Sequence, residues 1–168
     1  MSSRRHSQPA GTPATLALRR AGIDFTAHEF EHDRDAGSYG LEAAAALRVE
    51  PERVFKTLVA QTDRAADKGL VVAIVPVDRQ LDLKALAREF GCKRATLAES
   101  SAAERSSGYL VGGISPVGQK RRLATVLDSS ATTHETILVS GGRRGLDIEL
   151  TPADLVAATG ARVAAVAR

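Results

Sequence analysis

From Thr12 onward the chain passes through a series of short helical and strand-like patterns. Thr12-Pro13 opens the first helix, with threonine as N-cap, proline in the first turn, apolar Leu16 and Leu18, and Gly22 just past the end. Ile23, Phe25 and Ala27 then alternate with Asp24, Thr26 and His28, the period of a half-buried strand. A turn over Asp33–Gly40 and a short helix over Leu41–Leu47 follow. Val54–Val59 reads as a strand, Asp63–Gly69 as a polar loop, and Leu70–Val77 as a buried strand with branched residues throughout. Asp82–Phe90 predicts a helix ended by Gly91, and Leu97–Ser107 a polar, partly helical stretch. Further strands are predicted at Leu123–Leu127, Thr136–Val139 and Leu146–Leu150. Thr151-Pro152-Ala-Asp154 starts the last helix, which ends near Gly160, and Arg162–Val166 adds a final strand.

Strands and helices mix without strict β-α-β alternation, so the expected fold is α/β with a mixed, curved sheet. At 168 residues the chain has one domain's length, enough for a real core. Residues 1–11 read as a disordered polar tail and 12–168 as a single domain. The single cysteine, Cys92, excludes an internal disulfide and fits a reducing cytosol. No apolar run reaches the roughly 18 residues of a membrane span, so a soluble cytoplasmic protein is expected. A net charge of +3 is compatible with an anionic partner but too small to establish one. Aromatic residues make up 4% of the chain and there is no tryptophan, which argues against a wide base-stacking platform.

Three features carry candidate chemistry. His28-Glu29-Phe30-Glu31-His32 matches the zinc-protease pattern H-E-x-x-H, which needs both histidines on one helix face. Here it continues a strand-like alternation and an acidic turn follows, so the better reading is a polar edge strand with no metal. Lys56 is set among apolar neighbours whichever face of its strand is buried. It is either an edge lysine that snorkels to solvent or a cleft lysine for a phosphate, a carbonyl oxygen or a proton. The third feature is Gly108-Tyr-Leu-Val-Gly-Gly-Ile-Ser-Pro-Val-Gly-Gln-Lys120, echoed by Ser140-Gly-Gly-Arg-Arg-Gly-Leu-Asp147. These stretches lack the spacing of either standard nucleotide loop, yet their glycines allow a ligand to lie against the main chain. Cations follow both, as Lys120-Arg121-Arg122 and Arg143-Arg144, either a solvated face or a phosphate footprint. Neither Ser115 nor Ser140 sits in a G-x-S-x-G elbow, His134 has no evident partner, and Cys92 reads as a small packed residue. The sequence offers a pocket without an obvious protein nucleophile.

Thr12-Pro13-Ala14, His28-x-Phe30-x-His32-Asp33, Val54-Phe-Lys-Thr-Leu58, Gln80-Leu-Asp-Leu-Lys84, Gly108–Lys120 and Ser140-Gly-Gly-x-Arg-Gly-Leu-Asp-Ile-Glu149 occur in this order. Together they resemble the YbaK-type Cys-tRNA(Pro) deacylases, of the superfamily of the editing domain inserted in bacterial prolyl-tRNA synthetases. Phe-Lys-Thr is shared across that superfamily, whereas the two Gly-rich segments mark this branch. The resemblance implies a mixed α/β fold with a strongly curved, barrel-like sheet and helices around it. It implies hydrolytic removal of cysteine mischarged onto tRNA(Pro), without a cofactor, beside prolyl-tRNA synthetase. Lys56, Gly112 and Ser140 match the catalytic positions. Phe30, Thr57, Gly113, Ile114, Ser115, Gly141, Gly142, Arg144 and Asp147 match substrate-pocket positions, and Phe30 stands where relatives often carry tyrosine. In the family the substrate's own thiol is thought to attack its ester carbonyl, releasing the tRNA and a cyclic thiolactone. Two other readings are editing of a different aminoacyl-tRNA and a non-catalytic tRNA- or nucleotide-binding module.

Overall fold

The computed structural model describes residues 11–33 and 37–168. Residues 1–10 of the expected tail and 34–36 of the Asp33–Gly40 turn lie outside them. The most apolar run forms the centre. β3 (Leu70–Pro76) is buried along almost its whole length, with β2 (Phe55–Thr62) antiparallel on one side and β5 (Ala124–Asp128) parallel on the other. β4 (Ala95–Leu97) and β8 (Arg162–Ala164) complete a five-stranded sheet in the order β4-β2-β3-β5-β8. A second, antiparallel sheet has the order β1 (Thr26–Glu29), β7 (Leu146–Leu150), β6 (Ile137–Arg143). Parallel and antiparallel neighbours therefore mix, as the element order predicts.

Side-chain alternation in the strands builds two cores. Val72 and Ile74 on one face of β3 join Phe55 and Val59 of β2 and Val139 and Ile148 of the small sheet. Leu18 of α1 (Pro13–Arg20) and Leu155 of α5 (Pro152–Thr159) close the same cluster. Val71, Ala73 and Val75 on the opposite face pack under Leu86 of α3 (Leu83–Glu89). A third cluster, Ala44, Val54, Val77 and Leu138, lies under α2 (Tyr39–Leu47). α4 (Ser100–Ser107) follows β4, a three-residue strand too short for its sequence to announce. No helix among the described residues is long and apolar enough to cross a membrane.

The expected barrel-like sheet does not form, because neither sheet closes. The two touch through one parallel bridge, Val54 to Leu138. Val54 is just leaving a 3₁₀ turn over Pro51–Arg53, and its carbonyl already accepts from Val77 N–H at 2.8 Å. After that bridge β2 pairs with β3 and β6 with β7, and the free edges of β2 and β6 diverge without a further bridge among the described residues. Arg53 staples the junction instead: Nε donates to the Thr136 carbonyl at 3.2 Å and Nη2 to Thr136 Oγ1 at 2.7 Å and Glu149 at 3.2 Å.

Helix α1 starts as its sequence predicts. Thr12 and Thr15 cap each other, Thr15 N–H donating to Thr12 Oγ1 at 3.2 Å and Thr12 N–H to Thr15 Oγ1 at 3.0 Å. The Thr12 hydroxyl also donates to the Gly141 carbonyl at 2.5 Å, which ties the helix start to β6. The strand predicted at Thr136–Val139 runs on to Arg143, because a bulge between Ser140 and Arg143 absorbs the glycines that read as a turn.

Candidate functional site

Where the two sheets part, β2 keeps β3 on one side and has a gap on the other. Val54 C=O points to β3, and Val59 C=O points the other way, accepting from Ala98 N–H at 3.0 Å. Peptide groups alternate in direction along a strand, so those of Phe55 and Thr57 turn away from β3, toward the gap. A cavity of about 380 Å³ occupies it. β2 contributes Lys56 and Thr57, β6 Ser140, β7 Asp147, and the first Gly-rich stretch Gly112 and Ile114. Phe30, just beyond β1, and Arg144, in the β6–β7 turn, also line it. Eight of the residues singled out from the sequence therefore meet in one space.

Ser140 and Asp147 are cross-strand partners in the β6–β7 register. Asp147 is only 7% exposed, and burial pushes its carboxyl up to about 7. Glu149, two residues on and on the same face, shows the opposite behaviour. Hydrogen bonds from Thr136 Oγ1 at 2.5 Å and with His28 Nε2 at 2.8 Å, together with the Arg53 charge, hold its carboxyl below the usual range. The two carboxylates differ because, among the described residues, only Glu149 has hydrogen-bonding and charged partners. Lys56 is half-buried; desolvation lowers its pKa, and the Asp78 carboxylate opposes that effect. Thr57 Oγ1 is buried with no hydrogen-bond partner among the described residues. An unpaired buried hydroxyl costs about 1–3 kcal/mol, so its retention beside a cavity suits a ligand atom.

The Gly-rich stretches divide into a cavity wall and its supports. Gly112 has φ +94°, and a Cβ there would lie 3.0 Å from Arg144 Cδ and 3.2 Å from Tyr39 Cε2. It seats a stack in which the Arg144 guanidinium lies over the Tyr39 ring, 4.2 Å from its centroid. Arg144 also donates to the Asp33 carbonyl at 3.1 Å and stands 3.9 Å from the Glu42 carboxylate, while its Nε is buried without a partner among the described residues. Gly113, Ser115, Gly141 and Gly142 do not line the cavity. Gly113 is pressed against the Arg143 main chain, and Gly141 against Leu146. Gly142 sits against Tyr109 and donates its N–H to Ser140 Oγ at 3.2 Å. Ser115 is fully buried, its hydroxyl accepting from Val117 N–H at 3.2 Å.

The two basic clusters do not converge. Arg143 bonds Glu29 at 2.6 Å beside the cavity, whereas Arg121 pairs with Asp67 at 3.1 Å and no residue of Lys120–Arg122 contributes to the lining. His28 and His32 are not on a helix: His28 belongs to β1 and binds Glu149, and His32 lines the cavity. Tyr39 and Glu42 were not singled out from the sequence. Both sit in the first turn of α2, and their meeting with Arg144 spans about a hundred residues that no local pattern connects.

Residues 36–158 match the family model of the aminoacyl-tRNA editing domain. The chain is 34% identical over 153 residues, covering 91% of each protein, to EbsC of Enterococcus faecalis, named as a candidate Cys-tRNA(Pro)/Cys-tRNA(Cys) deacylase. It is 35% identical over 77 residues to proline–tRNA ligase of Moorella thermoacetica, which covers 46% of this chain and 13% of the ligase. The crystal structure of a candidate trans-editing enzyme for prolyl tRNA synthetase superposes with a TM-score of 0.79 at 26% identity, over 93% of this chain and 95% of that one. Hypothetical protein APE2540 superposes with a TM-score of 0.82 at 25% identity, over 94% and 100%. With the family model matching most of its length and a full-length relative above 30% identity, the chain belongs to the aminoacyl-tRNA editing-domain family.

Proposed function

We propose that the protein is a deacylase that clears cysteine from mischarged tRNA(Pro), acting in trans to prolyl-tRNA synthetase. The observation that carries this reading is the make-up of the cavity. Lys56, the Thr57 hydroxyl, Ser140 and Asp147 surround it, with no cysteine and no histidine–carboxylate pair among its described lining residues. Cysteine and histidine–carboxylate pairs are common means of supplying or activating a protein nucleophile. The substrate's thiol can take its place. Its sulfur attacks the ester carbonyl carbon, and the tetrahedral intermediate expels the ribose oxygen. The proton given up by the thiol ends on that oxygen. The products are the tRNA with a free terminal hydroxyl and a four-membered thiolactone, which one water later opens to cysteine.

The chain's part is positioning and electrostatic stabilisation. Lys56 holds the ester oxygen or the terminal phosphate, and the Gly112 main chain lies beside the reacting carbonyl. Asp147, with its carboxyl raised to about 7, is suited to carry the thiol proton near neutral pH. Ser140 and Thr57 offer hydroxyls to the aminoacyl group, and Phe30, Ile114 and Arg144 shape the walls.

The test is a deacylation panel of Cys-, Ala- and Ser-tRNA(Pro) and Cys-tRNA(Cys), with and without the synthetase. Cys-tRNA(Pro) should be the fastest substrate, and Lys56→Ala should abolish its turnover. Hydrolysis of Ala-tRNA(Pro) at the same rate refutes the thiol step. Turnover of none of the four refutes the deacylase reading.

A further inference from the structure

One end of the five-stranded sheet is strongly basic. β2 ends there, with Thr62 opposite Ala95 of β4, and β3, β5 and β8 all start there. Residues 63–68, 88–94, 120–122 and 162, at that end, hold nine of the chain's 23 lysines and arginines but three of its 20 acidic residues. Side-chain contacts tie these segments together. Arg64 and Arg162 both stand over the Phe90 ring, 5.2 and 4.7 Å from its centroid. Arg162 donates to the Glu89 carbonyl at 3.0 Å, and a Cβ on Gly160 would lie 2.9 Å from Arg122 Nη2. Asp63 accepts from the main-chain N–H groups of Lys93 at 3.0 Å and Arg94 at 3.3 Å, which fixes both residues at this end.

The acids there are already engaged. Asp63 serves those main-chain groups, Asp67 pairs with Arg121 at 3.1 Å, and Glu89 stands 3.7 Å from Arg162. Arg64, Lys68, Lys93, Arg94 and Arg122 form no ion pair among the described residues. Gathering like charges costs free energy, most plainly where two guanidiniums share one ring, and a bound polyanion offsets that cost. A protein partner fits less well, since protein interfaces have an apolar centre. Among the described residues, Val163 is the only large exposed apolar side chain adjoining one of these cations in the chain.

The surface is continuous with the cavity. Leu97, the last residue of β4, lines the cavity, and Arg94 precedes it by three residues, about 10 Å back along the chain. β4 is the outermost strand, so no further strand covers that edge. An RNA whose 3′ end enters the cavity can leave along it and meet unpaired cations within a few phosphates.

We propose that this end of the sheet, from Lys93 and Arg94 through Arg64 to Arg162 and Arg122, holds the phosphodiester backbone of the tRNA behind its 3′ end. The inference rests on the deacylase reading and adds a second anchoring surface outside the cavity. Phosphate contacts fix position and read no base, so the affinity gained here is shared by tRNAs of any sequence.

The test follows binding of uncharged tRNA(Pro) and tRNA(Cys) to the full chain by fluorescence anisotropy over a salt series, alongside turnover of Cys-tRNA(Pro) and cysteine ethyl ester. The triple variant Arg64→Gln, Lys93→Gln, Arg94→Gln is compared with Arg20→Gln, Arg48→Gln, Lys84→Gln, which removes the same charge elsewhere. For the first, affinity for both tRNAs should fall about tenfold or more, and the slope of log K against log salt should become shallower by about two to three. Its kcat/KM on Cys-tRNA(Pro) should fall mainly through KM, with the ethyl ester unaffected. The second should change far less. Equal losses in the two triples, no loss in either, a matching loss on the ethyl ester, or no tRNA binding by the unaltered protein would each overturn the proposal. A loss seen only with the synthetase present would also overturn it and assign the surface to a protein. Should circular dichroism show the first triple unfolded, Lys93→Gln with Arg94→Gln decides instead, since both side chains are exposed and the Phe90 stack is kept; the slope should then change by about one to two. Turnover of neither substrate by the unaltered protein would overturn the deacylase reading, and the anisotropy still decides the surface.

Discussion

Replacing Asp147 by asparagine should make the protein more stable and less active, most clearly above neutral pH. The carboxyl's pKa rises from its usual 3.8 to about 7, with burial as the cause, in a residue 7% exposed. A raised carboxyl pKa means that the folded state holds its proton over a pH range where the unfolded chain has lost it. Stability therefore falls as pH rises from about 4 to about 7 and is level above that. At about 1.4 kcal/mol per unit, the full penalty is about 4 kcal/mol; near pH 5 only about 1.7 kcal/mol of it has developed. From near pH 5 to near pH 8 the unaltered protein should then lose about 3 kcal/mol relative to Asp147→Asn. The amide carries its own desolvation cost, so the net gain near pH 8 should be about 2–4 kcal/mol, a shift of more than about 1 M in a urea midpoint. Urea unfolding of both proteins at the two pH values measures this, and the difference between them cancels the other titrating groups. Deacylation by the variant should be lost over the same range. Coincident midpoints near pH 8 would refute the claim that a carboxylate is held there against its solvation.

Four further outcomes follow from the same geometry. Thr57→Val deletes a buried hydroxyl that has no partner among the described residues, so thermal stability should hold or rise by about 1 kcal/mol while deacylation falls at least about tenfold; a clear loss of stability would show that the hydroxyl has a structural bond. Gly113→Ala would bring its Cβ to 2.7 Å from Arg143 Cα, and an unfolding free energy lowered by about 1–3 kcal/mol in urea titration is expected, whereas Gly112→Ala, on the cavity side, should cost activity through the displaced Arg144–Tyr39 stack. Glu149 has a depressed carboxyl pKa, so the stability it confers is present above the usual value of 4.5 and is lost as pH falls through its lower folded-state value. Acid unfolding of Glu149→Gln, followed by circular dichroism, should show that part of the pH dependence missing.

Much of the scaffold was legible because it is written in local chemistry. The Thr12 and Thr151 caps, the Gly22 and Gly160 stops and the unbroken apolar run of β3 fix their elements within a few residues. Lys56 was legible for the same reason, since a charge on an apolar strand is costly on either face. The motif order added the pocket residues Phe30, Thr57, Gly112, Ile114, Ser140, Arg144 and Asp147, which the fold gathers around one cavity. β4 was not legible, because three residues between polar stretches carry no period long enough to read.

What the chain could not determine by itself is which of its glycines face a ligand and which face a neighbour. Gly112 and Gly113 are adjacent and chemically identical, yet one borders the cavity and the other is pressed against the Arg143 main chain. The same holds for Asp147 and Glu149, two carboxylates on one face of one strand whose pKa values move in opposite directions. Local sequence sets which groups are available, through caps, periods and side-chain chemistry. Desolvation and partnership depend on what other segments bring to within a few ångströms. Here that was decided only when β2 and β6 parted after the Val54–Leu138 bridge and left a gap for Lys56, Ser140 and Asp147 to share.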